Sequence, residues 1–298
     1  MDVIEINHIT KDYGQKRGVF DVCFSVKEGE VLGFLGPNGA GKTTTIRQLM
    51  GFIKPDSGSL SILGRDCFRE AGRIQESLGY LPGEIAFIDS MSGMEFIRFV
   101  GKMKKMKNLG RAEELMDMFE LNPSGKLKKM SKGMKQKIGI VCAFMNPAAD
   151  TFILDEPTGG LDPLMQNRFV ELILSEKKRG KTILMSSHMF EEIERTCDRA
   201  AIIRKGKLVA VEEMEKLKEG RKKIIEVTFR EAAMAEAFAA EVPKASYQIG
   251  GKRVTAEVGK NLDSFIKKAG AYTVVDLELR TQSLEEFFMH FYGEGAEQ

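Results

Sequence analysis

Apolar and polar positions follow three successive rhythms along this chain. Over residues 1–80, short runs such as "VIEINHIT", "FDVCFSV" and "SGSLSILGRD" are separated by turn residues and predict strands. Within them, "EVLGFLG" at 30–36 is continuously apolar and ends in glycine, the pattern of a strand buried on both faces. Residues 43–50 predict the helix that follows it. Over 92–145 the period becomes helical, in "GMEFIRFVGKMKK", "RAEELMDMF" and the run after Ser131. Residues 151–211 return to strand–helix alternation, with strands at 151–154 and 182–185 and a closing hairpin in "AAIIRKGKLVAV". The alternation predicts an α/β fold with a mostly parallel sheet and helices on its faces.

A charged stretch, "MEKLKEGRKK" at 214–223, predicts a helix running into a linker. Beyond it the order becomes βαββαβ, that of a small ferredoxin-like α+β domain. Its hairpin crosses Gly250 and Gly251, and its last element is an amphipathic helix in "SLEEFFMHFYG". No catalytic cluster is visible there, which favours a regulatory or dimer-supporting module.

Composition excludes several classes. With 298 residues, 43% of them hydrophobic, the chain can build a sizeable core in one large domain or two ordinary ones. A net charge of +2 gives no electrostatic case for binding nucleic acid. Cys23, Cys67, Cys142 and Cys197 stand singly, as reduced thiols of a cytosol do. No apolar run is long enough to span a bilayer, and the N-terminus does not have the form of a signal peptide. Work at a membrane therefore needs a separate membrane partner. The basic runs "KMKKMK" and "KLKK" are best taken as solvated helix faces, and the 17 methionines as fillers of core and interface gaps.

Four stretches carry chemistry. In "GPNGAGKTTT", Gly36-x4-Gly41-Lys42-Thr43 sits between a predicted strand and a predicted helix, the context of a phosphate loop. Its glycines let backbone N–H groups face phosphates, and the helix N-terminus adds positive charge. Lys42 would reach the β- and γ-phosphates, and the Thr43 hydroxyl would ligate Mg²⁺. In "TFILDEPTGGLDP" two adjacent acids end an apolar strand. Burial of two carboxylates calls for a cation or substrate. Alternation along the strand points them apart. Asp155 is assigned to the Mg²⁺ shell, and Glu156 to polarising the water that attacks the γ-phosphate. In "MSKGMKQK", Ser131 predicts an N-cap whose free N–H groups suit a second anion. In "LMSSHMFEEIERTCDR", His188 follows a strand tip and precedes a helix.

These four stretches in this order, with "GGLDP" between the second and fourth, resemble the nucleotide-binding subunits of ABC transporters. The resemblance covers residues 1–220 as an ATP-binding domain with a helical subdomain at about 85–148, and leaves 221–298 as an accessory domain. It implies that Tyr13 stacks on adenine and that Gly36, Asn38, Gly39, Ala40, Gly41, Lys42, Thr43 and Thr44 cradle the phosphates of ATP. It further implies that Ser131, Lys132 and Gly133 form a signature loop reaching ATP held by the opposite subunit. Asp155 and Thr43 then hold Mg²⁺, Glu156 is the catalytic glutamate, and His188 contacts the γ-phosphate together with Lys42. Gly160, Leu161 and Asp162 match the loop that crosses the dimer interface.

Two departures stand out. Met130, Lys132 and Met134 replace the commonest signature residues, and Gly83 stands where the family has a glutamine that touches Mg²⁺ and couples to the membrane subunit. "SLEEFFMHFYG" resembles the end of a bacterial exporter subgroup paired with multi-span permeases. The expectation is thus an ATPase on the cytoplasmic face of the membrane. It would pair with a second ATPase chain, a homodimer being the simplest case, and with an integral permease. The alternative is a soluble relative acting on ribosomes or DNA, which usually carries two ATPase units or a long coiled coil. A P-loop kinase would need neither the Ser131 loop nor "GGLDP".

Overall fold

The computed structural model describes residues 1–242, 245–247, 251–258 and 262–287. It divides into two compact units, Met1–Met214 and Glu215–Gln298. The division falls at the start of the charged stretch, where the sequence puts the domain change at 220/221.

The first unit opens with β1 (Asp2–Asp12), β2 (Gly18–Lys27), β3 (Val31–Leu35) and α1 (Lys42–Leu49). Then follow β4 (Ser57–Ile62), β5 (Arg65–Asp66), α2 (Ala71–Ser77) and β6 (Leu78–Leu81). The helical stretch gives α3 (Gly93–Met103), α4 (Gly110–Met118) and α5 (Lys132–Phe144). The alternating stretch gives β7 (Thr151–Asp155), α6 (Pro163–Lys178), β8 (Thr182–Ser187), α7 (Phe190–Thr196), β9 (Arg199–Arg204) and β10 (Lys207–Glu213).

One sheet, in the order β2-β1-β4-β5, is antiparallel. The other, in the order β10-β9-β3-β8-β7-β6, is parallel except for its edge hairpin β9–β10. Every residue of β3, β7 and β8 is buried, as strands covered on both faces must be. A single apolar core joins the two sheets and α1 through Ile4, Phe24, Phe34, Ile46, Ile153 and Leu184, with the Phe24 and Phe34 rings 5.1 Å apart. α3 starts with a capping box, Ser92 and Glu95 each bonding the other's backbone N–H.

The second unit contains α8 (Met214–Glu219) from its second residue onward. It continues with β11 (Lys223–Phe229), α9 (Ala232–Glu241), β12 (Ala245–Tyr247), β13 (Arg253–Val258), α10 (Leu262–Ala269) and β14 (Val274–Thr281). Its sheet order, β12-β13-β11-β14, is antiparallel throughout, the ferredoxin-like arrangement. Phe229, Phe238 and Phe265 form its core with Val227 and Val254. Gly250 of the expected hairpin turn and the end of the final helix beyond 287 lie outside the described residues.

Three expectations need correction. β7 runs one residue further than the apolar run, through Asp155, because Asp155 pairs with Ser186 across the sheet. β8 likewise runs through Ser187, which pairs with Leu35. The run "SGSLSILGRD" splits into β4 and β5, and residues 71–77 form a helix that the pattern does not announce. Only Ile74 of α2 is buried, too few apolar positions to set a period.

Gly79 in β6 sets how closely α5 approaches the sheet. A Cβ there would lie 2.3 Å from the Phe152 ring and 2.4 Å from the Ala143 carbonyl. Gly79→Ala is therefore expected to destabilise the chain by about 1–3 kcal/mol, as measured by a lowered urea midpoint.

Candidate functional site

The parallel register brings three strand ends into one row. Leu35 of β3 lies opposite Ser187 of β8, and Ser186 lies opposite Asp155 of β7. The chain leaves β3 through Gly36, leaves β7 at Glu156 and leaves β8 at His188. These exits share the carboxyl edge of the sheet, where ligands bind in open α/β folds.

The loop from Gly36 to α1 is shaped by its glycines. Gly39 and Gly41 have φ of +79° and +114°, in the left-handed region open to glycine. Gly36 lies against the Ile203 carbonyl, which leaves no room for a side chain. Asn38 and Gly39 are exposed at the tip, Ala40 is buried, Thr43 is exposed and Thr44 half-buried. Lys42 is only 5% exposed, and its ammonium donates to the carbonyls of Gly36 and Pro37. The same ammonium lies 3.1 Å from Glu156 Oε1.

Glu156 is half-buried and has φ of +48°, a strained conformation for a glutamate. Its backbone N–H donates to the Ser186 carbonyl at 3.2 Å and hydroxyl at 3.0 Å, which holds the turn. Its other oxygen lies 2.6 Å from His188 Nδ1. One carboxylate thus faces a buried ammonium on one side and an imidazole on the other. Asp155 points elsewhere, as strand alternation requires. It is 1% exposed and accepts the Ser186 hydroxyl at 2.5 Å. Its second oxygen faces Gly83, where a Cβ would stand only 3.0 Å away. Burial, with the Asp155 carboxylate nearby, pushes the Tyr80 phenol up to about 12.

Ser131 caps α5, accepting the Met134 N–H at 3.2 Å. This start of α5 is stitched to the turn after Glu156. Gln136 donates to the Pro157 carbonyl at 2.7 Å, and Gly133 and Lys132 pack against Gly160. Asp162 in turn caps α6, accepting the Met165 N–H at 3.0 Å.

Lys42, Glu156 and His188 therefore meet directly, with Asp155 beside them on the same strand end. Tyr13 sits apart, 55% exposed in the turn after β1, and Ser131 is also exposed. Neither touches the cluster within one chain. Glu84 lines a groove with Tyr80, Ile85 and Val100 and makes no bond to Asp155. Among the described residues no group of three or more His, Cys, Asp or Glu side chains forms a metal site by itself.

Sequence reasoning missed Gln136, Ser186 and Glu192. Glu192, in the first turn of α7, is 6% exposed and accepts the Ser187 hydroxyl at 2.7 Å. Burial raises its pKa to about 7 against the lowering effect of the Ser187 and Thr158 hydroxyls, with Glu156 raising it further. Only the adjacency of two acids in "FEEIERT" hinted at one turned inward.

A family model described as "ABC transporter" matches residues 19–159. The bacitracin transport ATP-binding protein BcrA of Bacillus licheniformis is 32% identical, over 99% of this chain and 98% of its own length. The linearmycin resistance ATP-binding protein LnrL of Bacillus subtilis (strain 168) is 36% identical, over 70% of this chain and 68% of its own. Among solved structures, an ATP-binding subunit of an ABC transporter is 30% identical and superimposes with a TM-score of 0.66, over 73% of this chain and 92% of its own.

The raised Glu192 acid gives a stability prediction. Between the ordinary carboxylate range and about pH 7 the folded chain keeps a proton that the unfolded chain has released. Stability from this group is therefore present at low pH and falls as pH rises across that window. Glu192→Gln, which removes the charge, should unfold at higher urea than the parent at about pH 8, by roughly 1–3 kcal/mol, with the gap closing toward about pH 5.

Proposed function

The chain belongs to the family of ABC transporter ATP-binding proteins, and from that premise we propose that two copies, paired by ATP, power an exporter on a separate membrane permease. As a member of the family it binds and hydrolyses ATP. The observation that carries the site reading is the meeting of Lys42, Glu156 and His188 at one sheet edge, beside a glycine loop that opens a helix.

In this reading the loop N–H groups from Gly36 to Thr44 and the Lys42 ammonium hold the β- and γ-phosphates, and Tyr13 stacks on adenine. The arriving γ-phosphate takes over the Lys42 ammonium. Glu156 is then released from that ion pair to hold and polarise the attacking water. His188, bonded to the same carboxylate, orients Glu156 and contacts the γ-phosphate. The strained Glu156 backbone keeps the carboxylate aimed at this point.

Magnesium fits the residues present. Asp155 has one oxygen bonded to Ser186 and the other turned toward the bare Gly83, and Thr43 offers an exposed hydroxyl. Such a cation uses few protein oxygens plus phosphate and water, and would neutralise charge building on the phosphates. Gly83 offers no side-chain oxygen, so Asp155 and Thr43 are the protein's share.

The exposure of Ser131 and Lys132 supports a reach toward ATP on an opposite copy. Two-fold pairing then completes two sites at once. Hydrolysis dissolves the ATP-mediated contact and lets the permease change state. Among the described residues no helix is long and apolar enough to cross a membrane, so the permease supplies attachment at the cytoplasmic face. The mainly apolar groove of about 630 Å³ beside β6 and α3, lined by Tyr80, Ile85, Val100 and Met103, suits a permease segment. The names of the bacitracin transport and linearmycin resistance relatives support export. The Glu215–Gln298 unit would act as a regulatory or dimer-supporting module.

Glu156→Gln should lower ATP turnover by about 10²–10⁴ while retaining ATP binding. Purified with ATP in mild detergent from its own cells, the tagged variant should bring a multi-span membrane protein with it. Unchanged turnover would remove Glu156 from the mechanism. Co-purifying ribosomal or DNA-repair proteins would overturn the transport reading.

A further inference from the structure

Glu192 touches neither Lys42 nor the glycine loop, yet it sits where the two segments that aim Glu156 and His188 come together. Its Oε2 accepts the Ser187 hydroxyl at 2.7 Å. The Ser187 oxygen in turn accepts the Met189 N–H at 2.9 Å. Ser187 and Met189 flank His188, so one hydroxyl pins the backbone on both sides of the histidine and Glu192 anchors that hydroxyl. Ser187 is 1% exposed, which keeps water from competing for these bonds.

The second segment is the turn after Glu156. Gly159 N–H donates to the Glu156 carbonyl and Leu161 N–H to the Thr158 carbonyl, which makes 156–161 a compact double turn. Thr158 is 6% exposed and lines the same cavity as Glu192. Glu192 Oε1 is buried without a well-formed hydrogen bond, and the side chain lines a cavity of about 230 Å³ together with Thr158 and Met189. A carboxylate held in this way has a real desolvation cost. A residue serving packing alone would avoid that cost.

We propose that Glu192 is a positioning residue for ATP hydrolysis: through Ser187 it holds the His188 loop against the Glu156 turn, so that the imidazole and the catalytic carboxylate stay paired. This rests on the reading of Glu156 and His188 given above. Because Glu192 lies behind these residues and away from the phosphate loop, it acts on the chemical step and leaves nucleotide binding alone. Displacement of a reacting group by about 1 Å can cost a hundredfold in rate. The link is a hydrogen-bond chain, so an uncharged amide that still accepts from Ser187 preserves it and a methyl group does not.

The test is steady-state ATPase kinetics on the full chain, with kcat and KM for ATP measured separately. Glu192→Ala is expected to lower kcat roughly 10–10²-fold with KM changed by less than about twofold. Glu192→Gln should recover most of that loss. Ser187→Ala combined with Glu192→Ala should lose no more than the larger single loss, because both break the same chain. If Glu192→Ala does not fold, Ser187→Ala alone breaks the same bond and should lower kcat at unchanged KM, and an unchanged kcat would overturn the assignment.

A kcat for Glu192→Ala within about twofold of the parent, or a rise in KM at constant kcat, would overturn the assignment. So would single losses that multiply in the double variant. His188→Ala is the reference. If it slows turnover and Glu192→Ala does not, the Glu192 assignment alone falls. If His188→Ala leaves turnover unchanged, the site reading falls and the Glu192 assignment with it.

Discussion

The register of three parallel strands decides where the charges meet. β3, β8 and β7 lie side by side, and their pairing sets Leu35 beside Ser187 and Ser186 beside Asp155. A slip of one residue would turn every side chain to the opposite face. The Lys42 ammonium and the Glu156 carboxylate would then part. Close packing enforces the register: at Gly33 of β3 a Cβ would stand 2.6 Å from the Ile193 side chain of α7, so a slip that brings a larger residue there clashes. The geometry of the proposed site is thus a by-product of core packing.

Each charged group at the edge is stabilised by a neighbour and kept ready for exchange. A buried ammonium without partners is costly. Lys42 satisfies itself with two loop carbonyls and Glu156, all of which a phosphate can replace. Glu156 divides its two oxygens between Lys42 and His188, so loss of one partner leaves the other holding the side chain in place. Asp155 is separated from this exchange by Ser186 and by its burial. Two adjacent acids thus take different roles because strand alternation sends one into the sheet edge and one toward the loop.

Much of this was legible in the sequence, for physical reasons. The glycine loop proposed to hold phosphate is readable because a left-handed backbone at Gly39 and Gly41 demands glycine at fixed places, and the flanking apolar run and helix supply context. The βαββαβ order of the second unit is readable because its strands and helices alternate cleanly. Strand ends are less readable. Apolarity stops at Leu154 and Met185, whereas backbone pairing continues while a serine hydroxyl and a carboxylate satisfy each other. Glu192 is the hardest case. Glu191 and Glu192 look alike in sequence, and only the packing of α7 against β3, where Ile193 and Cys197 lie against Gly33, turns one inward. Gln136 is similar: its role depends on a carbonyl 21 residues away in the chain.

In the proposed function ATP is the bond between two copies, with Ser131 of one chain meeting the nucleotide of the other. The most direct measurement is the solution mass of the slow-hydrolysing Glu156→Gln chain by light scattering, with and without magnesium and ATP. ATP is expected to double the mass, and adding Ser131→Arg, which fills the Ser131 loop with a bulky side chain, to restore the mass of one chain without abolishing ATP binding. A mass that ignores bound ATP, or a doubling that survives Ser131→Arg, would contradict the proposed function.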